Sequence, residues 1–376
     1  MNPTQPAPMY DMNHLNRIKA FQAKLRRKQI DAFLVSQPFN RRYLSGYTAK
    51  DHGIAESSGA LFVPARGDAL LLTDFRYQTQ AQQETDLRVK LYKRGLLSLL
   101  SSLIKQHEVK VFGFESHYTL HSIGLKLINL AEKQKVVLKP CLSMIEQMRI
   151  IKDQDELELI RKSVRLNEQV FSSVFKNLKA GMREIDIAAK IENQMRIAGA
   201  EAPSFETIVA AGKNGAMPHA CPGPDSIDSK DSVTIDMGLI LNGYCSDMTR
   251  NFTLGKPAVR YRELHRVVRK AQLAGLAKVK AGIPACDVDK AAREVISEAG
   301  YGKYFGHSLG HGVGLEVHEE PRVSPKSRQK LKPGMVITIE PGIYLPDWGG
   351  IRLENMVVVT EDGAELLNTD TTWLDI

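Results

Sequence analysis

Four acids stand in surroundings where an unpartnered charge is costly. Asp236 is flanked by Val233, Ile235 and Met237, Glu340 lies inside MVITIEPGIY, and Glu354 precedes Met356 and a run of three valines, while Asp247 occupies the matching place in NGYCSDMTRNF. An ionised carboxylate in an apolar strand costs several kcal/mol unless something neutralises it. A salt bridge would account for any one of them. Arg250 and Arg352 are the only bases close by on these segments, too few for four acids, and divalent cations are the alternative. A nitrogen donor is at hand in YFGHSLGHGVGLEVHEEP, where Gly310, Gly312 and Gly314 bracket His311 and permit a tight backbone close to a ligand. Four carboxylates and one imidazole suit Mn²⁺, Co²⁺ or Fe²⁺, accept Zn²⁺, and do not make a thiolate site. Two such ions, roughly 3.5–4 Å apart and sharing carboxylates, are a hydrolytic arrangement. His219, His307 and His318 lie beside these ligands in sequence and are read as contacts to them or to a substrate.

The elements that must position these residues occur twice. Ala180, Gly181, Asp186, Ile187, Ala198 and Gly199 return as Ala281, Gly282, Asp287, Val288, Ala299 and Gly300, each set predicting a turn and an amphipathic helix that ends on glycine. TIDMG at 234–238 returns as TIEPG at 338–342, and each is followed by a glycine-containing turn and a second strand bearing another acid, Asp247 or Glu354. Two pseudo-equivalent halves, each offering two acids, are expected. Upstream, helical spacing over Leu15–Lys28 and Leu125–Glu132 interleaves with apolar strands at Ala32–Val35, Leu61–Pro64, Ala69–Thr73 and Val111–Phe114, which predicts an α/β domain. Asp153 and Glu156 form a capping-box pattern ahead of Leu157, Ile160, Val164, Phe171, Val174 and Leu178, at helical spacing. The expected organisation is a loose arm at 1–12, an α/β domain at 13–139 and an α+β domain at 140–376 with an internal pseudo-two-fold repeat.

Composition excludes several other classes. The 376 residues are 43% hydrophobic and 25% charged, which is ordinary for globular chains and rules out disorder, collagen and small disulfide scaffolds. The net charge is +8, yet the basic residues are interspersed and the densest groups, Lys24–Lys28 and Arg260–Lys270, fall on segments of helical spacing, so no nucleic-acid partner is expected. Cys141, Cys221, Cys245 and Cys286 are far apart and form no CxxC pair, as befits a reducing compartment. The first residues show no export signal, and the most apolar run, Leu96–Ile104, is too short to span a bilayer. A cytoplasmic protein without membrane contact is expected.

The segments SFETIVAAGKNGAMPHACP, TIDMGLILNGYCSDMTRNF, GHSLGHGVGLEVHE and VITIEPGIYLPDWGGIRLEN resemble the signature blocks of the pita-bread metallopeptidases, specifically the Xaa-Pro aminopeptidases and Xaa-Pro dipeptidases, or prolidases. NRRYLSGY, LLLTDFRYQTQA and VFGFES are more weakly similar to the creatinase-like amino-terminal domain of that family. The resemblance implies a dinuclear-metal exopeptidase that hydrolyses the bond between an amino-terminal residue and proline. It implies Asp236 as a terminal ligand of one ion, Asp247 and Glu354 as bridges, and His311 and Glu340 on the other ion, most often Mn²⁺ or Co²⁺. Glu340 would carry a proton, His219, His307 and His318 would line the substrate site, and Arg352 and Tyr344 would support the acids or the substrate. It further implies a homodimer, with Arg41, Arg42 and His52 as candidates for closing a neighbour's site. Asn355 stands where an aspartate is common, at a position that is not a ligand. The gap of 14 residues between Glu340 and Glu354 leans toward a short substrate. Three relatives of the fold offer alternatives: creatinase lacks the metal set, methionine aminopeptidases usually lack the amino-terminal domain, and non-catalytic binding proteins typically lose ligands.

Overall fold

A computed structural model describes residues 11–369, and the expected loose arm lies outside the described residues over positions 1–10. Contacts divide the chain into two units, residues 1–148 and 149–376. This division falls later than the expected boundary between 139 and 140, because the strand Val137–Cys141 pairs in parallel with Val111–Glu115 and so belongs to the first sheet.

The first unit is the expected α/β domain. The apolar strand Ala32–Val35 is buried throughout and lies at the centre of a six-stranded mixed sheet, with Ala60–Pro64 antiparallel on one side and Val111–Glu115 parallel on the other. Leu34, Phe62, Leu72 and Phe112 of the sheet meet Leu100, Leu103 and Ile104 from the helix Leu96–Gln106, so the chain's most apolar run is a core helix. Arg41 is not available to a neighbouring subunit. Its guanidinium is wholly buried and donates to the carbonyls of Gly59 and Ala49, to Asp51 Oδ1 at 2.9 Å and to Ser58 Oγ at 2.7 Å.

The second unit contains the repeat. Asp153 accepts from the Glu156 N–H while the Glu156 carboxylate accepts from the Asp153 N–H, a reciprocal cap that starts the helix Gln154–Phe175. That helix stops before Leu178, short of the expected end. With Glu184–Ile197 it packs on the strands Ile208–Ala211, Val233–Met237 and Met248–Phe252, around a core that includes Phe171, Ile187, Ile191 and Ile235. In the second half the helices Val259–Lys278 and Ala285–Glu298 pack on Gly310–Gly312, Val336–Ile339 and Asn355–Val359, around Leu264, Val288, Ala292 and Ile337. Even the turns agree. Gly181 and Gly282 precede the shorter helices at φ +89° and +83°, and Gly199 and Gly300 follow them at +96° and +86°, all in the left-handed region that favours glycine.

Because neither Gly181 nor Gly282 has a neighbour within contact of an added Cβ, Gly181→Ala and Gly282→Ala should each cost only backbone strain, about 1–2 kcal/mol. Urea unfolding should show similar losses at both sites, and a loss confined to one would contradict their equivalence.

Candidate metal centre

The acids meet where the two halves of the second unit join. Asp236 sits within Val233–Met237, directly opposite Thr249 on the antiparallel partner. The other three acids lie at strand ends rather than within strands: Asp247 one residue before Met248–Phe252, Glu340 one after Val336–Ile339, and Glu354 one before Asn355–Val359. Backbone bonds fix two of them, one across the seam and one within the second half. Glu354 N–H donates to the Thr249 carbonyl at 3.2 Å, and Glu340 N–H donates to the Leu309 carbonyl at 2.8 Å. His311 comes in on Gly310–Gly312, where a Cβ at Gly310 would collide with the Thr338 carbonyl and one at Gly312 with that of Glu320. The bracketing glycines are therefore required by close backbone approach, as their pattern suggested.

Ligand atoms of Asp247, His311 and Glu354 all lie within 4.8 Å of one another. His311 Nε2 is 3.3 Å from Glu340 Oε1 and 3.6 Å from Asp247 Oδ2. Asp236 is held by Arg352, its Oδ2 accepting from Nη2 at 2.6 Å while its buried Oδ1 has no hydrogen-bond partner. The structure thus brings Asp247, His311, Glu340 and Glu354 together. Of the two arginines singled out in the sequence, Arg352 pairs with Asp236. Arg250 donates to the Glu354 carbonyl at 2.6 Å, and Glu168 lies 3.7 Å from its guanidinium.

Electrostatics show what the cluster lacks. Burial, then Glu354, Asp236 and Glu340, push Asp247 well above the usual carboxylate range. Burial and the charges of Glu340 and Asp236 do the same to Glu354. Burial also raises Asp236, outweighing Arg352. Glu340 goes the other way, because the hydrogen bond and charge of His311 overcome its burial, and the same contact lifts His311 to about 9. Like-charged buried carboxylates, one orphaned carboxylate oxygen and a single imidazole are a donor set suited to divalent cations.

Hydrogen bonds from neighbouring side chains hold this set. Arg352 also donates to Tyr344 Oη at 2.8 Å, to Thr249 Oγ1 at 3.1 Å and to the Pro218 carbonyl at 3.2 Å. Tyr344 Oη lies 2.9 Å from His307 Nε2, and His307 Nδ1 lies 2.8 Å from the Ser308 carbonyl. Nδ1 therefore carries the proton and Nε2 accepts from the tyrosine, in keeping with burial lowering the His307 pKa. His318 is exposed and stacks edge-on against His311 with ring centroids 4.4 Å apart. His219 is exposed on the loop that Arg352 holds through Pro218 and makes no hydrogen bond to the acids. Thr249 and Thr338 went unnoticed in the sequence. Thr249 Oγ1 donates to Glu354 Oε2 at 2.7 Å, while Thr338 Oγ1 donates to Glu340 Oε1 at 3.2 Å and accepts from His311 N–H at 3.1 Å. Their signal was register: Thr249 lies opposite Asp236 and Thr338 two residues before Glu340.

Comparison with known proteins bears on this arrangement. Metallopeptidase family M24 matches residues 158–361, and the Creatinase/Prolidase N-terminal domain matches residues 17–151. The chain is 37% identical over 339 residues to an Xaa-Pro dipeptidase of Pyrococcus furiosus, covering 90% of this chain and 93% of that one. Its structure is similar to that of an Xaa-Pro dipeptidase from Bacillus anthracis, with a TM-score of 0.88, 31% identity and coverage of 96% and 98%. It is also similar to an X-Pro aminopeptidase from Thermotoga maritima, with a TM-score of 0.84, 36% identity and coverage of 93% and 98%.

A raised folded-state carboxylate pKa has a defined sign. Below the ordinary value of about 4.3 Glu354 is protonated in both states, and the stability this provides is lost as pH rises through its higher folded value. In metal-free protein, Glu354→Gln should therefore flatten the fall of melting temperature between the ordinary carboxylate value and that higher pH, while weakening Mn²⁺ binding. An unchanged slope would contradict the burial of a charged cluster.

Proposed function

The chain belongs to metallopeptidase family M24 and carries the Creatinase/Prolidase N-terminal domain, and from that membership we propose that its acid cluster holds two divalent ions and hydrolyses the bond between an amino-terminal residue and proline. It is a metal-dependent hydrolase with Xaa-Pro peptidase relatives and the corresponding fold. The observation that carries the reading is the convergence of Asp247, His311 and Glu354 within 4.8 Å beside the orphaned Asp236 Oδ1.

In this reading Asp236, Asp247, His311, Glu340 and Glu354 hold the ions, Mn²⁺ or Co²⁺ before Zn²⁺ or Fe²⁺ as the family resemblance implies. When bound, the ions supply Lewis acidity toward the peptide carbonyl and toward water. The chain's residues do the rest. Glu340, whose Oε1 is held by the Thr338 hydroxyl, takes the proton of the attacking water and returns it to the departing proline nitrogen. The bond before proline is a tertiary amide without N–H, so the nitrogen must gain that proton as the bond breaks. His318 and His219 face the open side, where an imidazole can stabilise negative charge on the carbonyl oxygen or hold the substrate. Arg352, Tyr344 and neutral His307 form a directed chain of donors that fixes Asp236 at one end and presents His307 at the other.

The 14-residue spacing between Glu340 and Glu354 is a short hairpin, Gly342–Leu345 paired with Gly349–Arg352, and we read it as favouring a dipeptide substrate. A homodimer is part of the same reading. So is a cytoplasmic location, in keeping with four unpaired cysteines and with no described helix long and apolar enough to cross a membrane.

Protein stripped of metal and reloaded separately with Mn²⁺, Co²⁺ or Zn²⁺ should cleave an Xaa-Pro dipeptide and spare the matched Xaa-Ala peptide. Preference for Xaa-Pro-Xaa would make it an aminopeptidase, and equal cleavage of Xaa-Ala would remove proline from the account. His318→Ala should lower kcat roughly 100-fold while bound metal stays constant.

A further inference from the structure

Behind the exposed His318 lies a buried group of charges that the chemistry above does not use. Only 5% of the Glu319 side chain is exposed, with 3% of Arg149 and 1% of Lys152. Arg149 Nη2 donates to Glu319 Oε1 at 2.5 Å and to Glu316 Oε2 at 2.7 Å, and Lys152 Nζ donates to Glu319 Oε2 at 3.2 Å. Glu319 Oε1 also accepts the backbone N–H of Glu316 at 3.1 Å, so the carboxylate folds back across the turn that carries His318. It fills the space over Gly314, where an added Cβ would lie 2.7 Å from Oε1. Gly314 in turn accepts from Cys245 N–H at 2.8 Å, two residues before Asp247.

Two features distinguish this group from a stabilising ion cluster. Buried ion pairs repay their desolvation poorly, and packed apolar side chains of similar size are often as stable, whereas charged bonds fix direction. The second feature is what the bonds leave open. Among the described residues none donates to or accepts from the His318 ring, whose recorded contact is the edge-on one with His311. The ring's place therefore depends on the backbone turn that Glu319 anchors. Burial alone would raise the Glu319 pKa, but Lys152 and Arg149 hold it at about 2, so it stays ionised and acts as a fixed anchor.

We propose that Glu319, held by Arg149 and Lys152, is a positioning residue that sets the His318 ring against His311 and so aims it at the substrate. This rests on the reading of His318 as a substrate-facing group. The test is a double-mutant cycle on the metal-loaded enzyme, together with ¹⁵N-histidine spectra of zinc-loaded protein. Glu319→Gln should lower kcat/KM roughly tenfold with bound metal unchanged, should act less than about twofold in a His318→Ala background, and should shift the His318 ring resonances. Equal losses in both backgrounds, or unmoved His318 resonances, would overturn the proposal. Lys152→Met, which removes one of the two cations, repeats the cycle if E319Q does not fold. If the unaltered enzyme cleaves no Xaa-Pro peptide, the substrate reading fails, and the resonances then decide the positioning claim alone.

Discussion

Carboxylates brought together away from water repel one another, and much of the second unit is organised around that cost. Asp247 and Glu354 are almost wholly buried, at 4% and 1% exposure, with Asp236 and Glu340 beside them. Arg352 offsets part of the charge at Asp236 and His311 part of it at Glu340. No other described base reaches the set through an ion pair, so Asp247 and Glu354 keep their protons far above the usual range. A folded chain tolerates such a cluster when a ligand that binds only the native state repays it.

The duplicated architecture makes the cluster possible. Each half has a helix pair, a left-handed glycine before and after the shorter helix, and a sheet that delivers two acids. Neither half alone brings three ligand atoms together, since Asp247 comes from one and His311 and Glu354 from the other. The seam is stitched by backbone and by side chains bonded to backbone, as in Glu354 N–H to Thr249, Arg250 to the Glu354 carbonyl and Ser232 Oγ to the Gly350 carbonyl at 2.8 Å. The ligands are thereby fixed to the main chain on both sides rather than to flexible loops.

Much of this was legible in the residues, for a physical reason. A charged residue inside an apolar strand has few explanations, so Asp236 announced itself, and the in-register repeat extended the inference to Asp247, Glu340 and Glu354. Strand-forming runs such as AFLV at Ala32–Val35 and the Asp153–Glu156 cap were likewise readable because their signals are local. What could not be read depended on distant pairing. Thr249 looks like any strand threonine until Asp236 and Glu354 are placed beside it, and Arg41 looked accessible until its buried acceptors closed around it. The division after Met148 was missed because the strand Val137–Cys141, half exposed and interrupted by Lys139 and Pro140, gives little signal of belonging to the first sheet. Arg149 and Lys152 carry no motif, and their link to Glu319 spans 167 residues or more.

The central claim is that the cluster exists to hold two ions. Native mass spectrometry of the intact chain after Mn²⁺ or Co²⁺ loading and removal of free metal tests it most directly. The account predicts two ions per chain, falling to one or none in Asp247→Asn and Glu354→Gln. A wild-type chain that retains no ion, or an Asp247→Asn chain that still retains two, would contradict it.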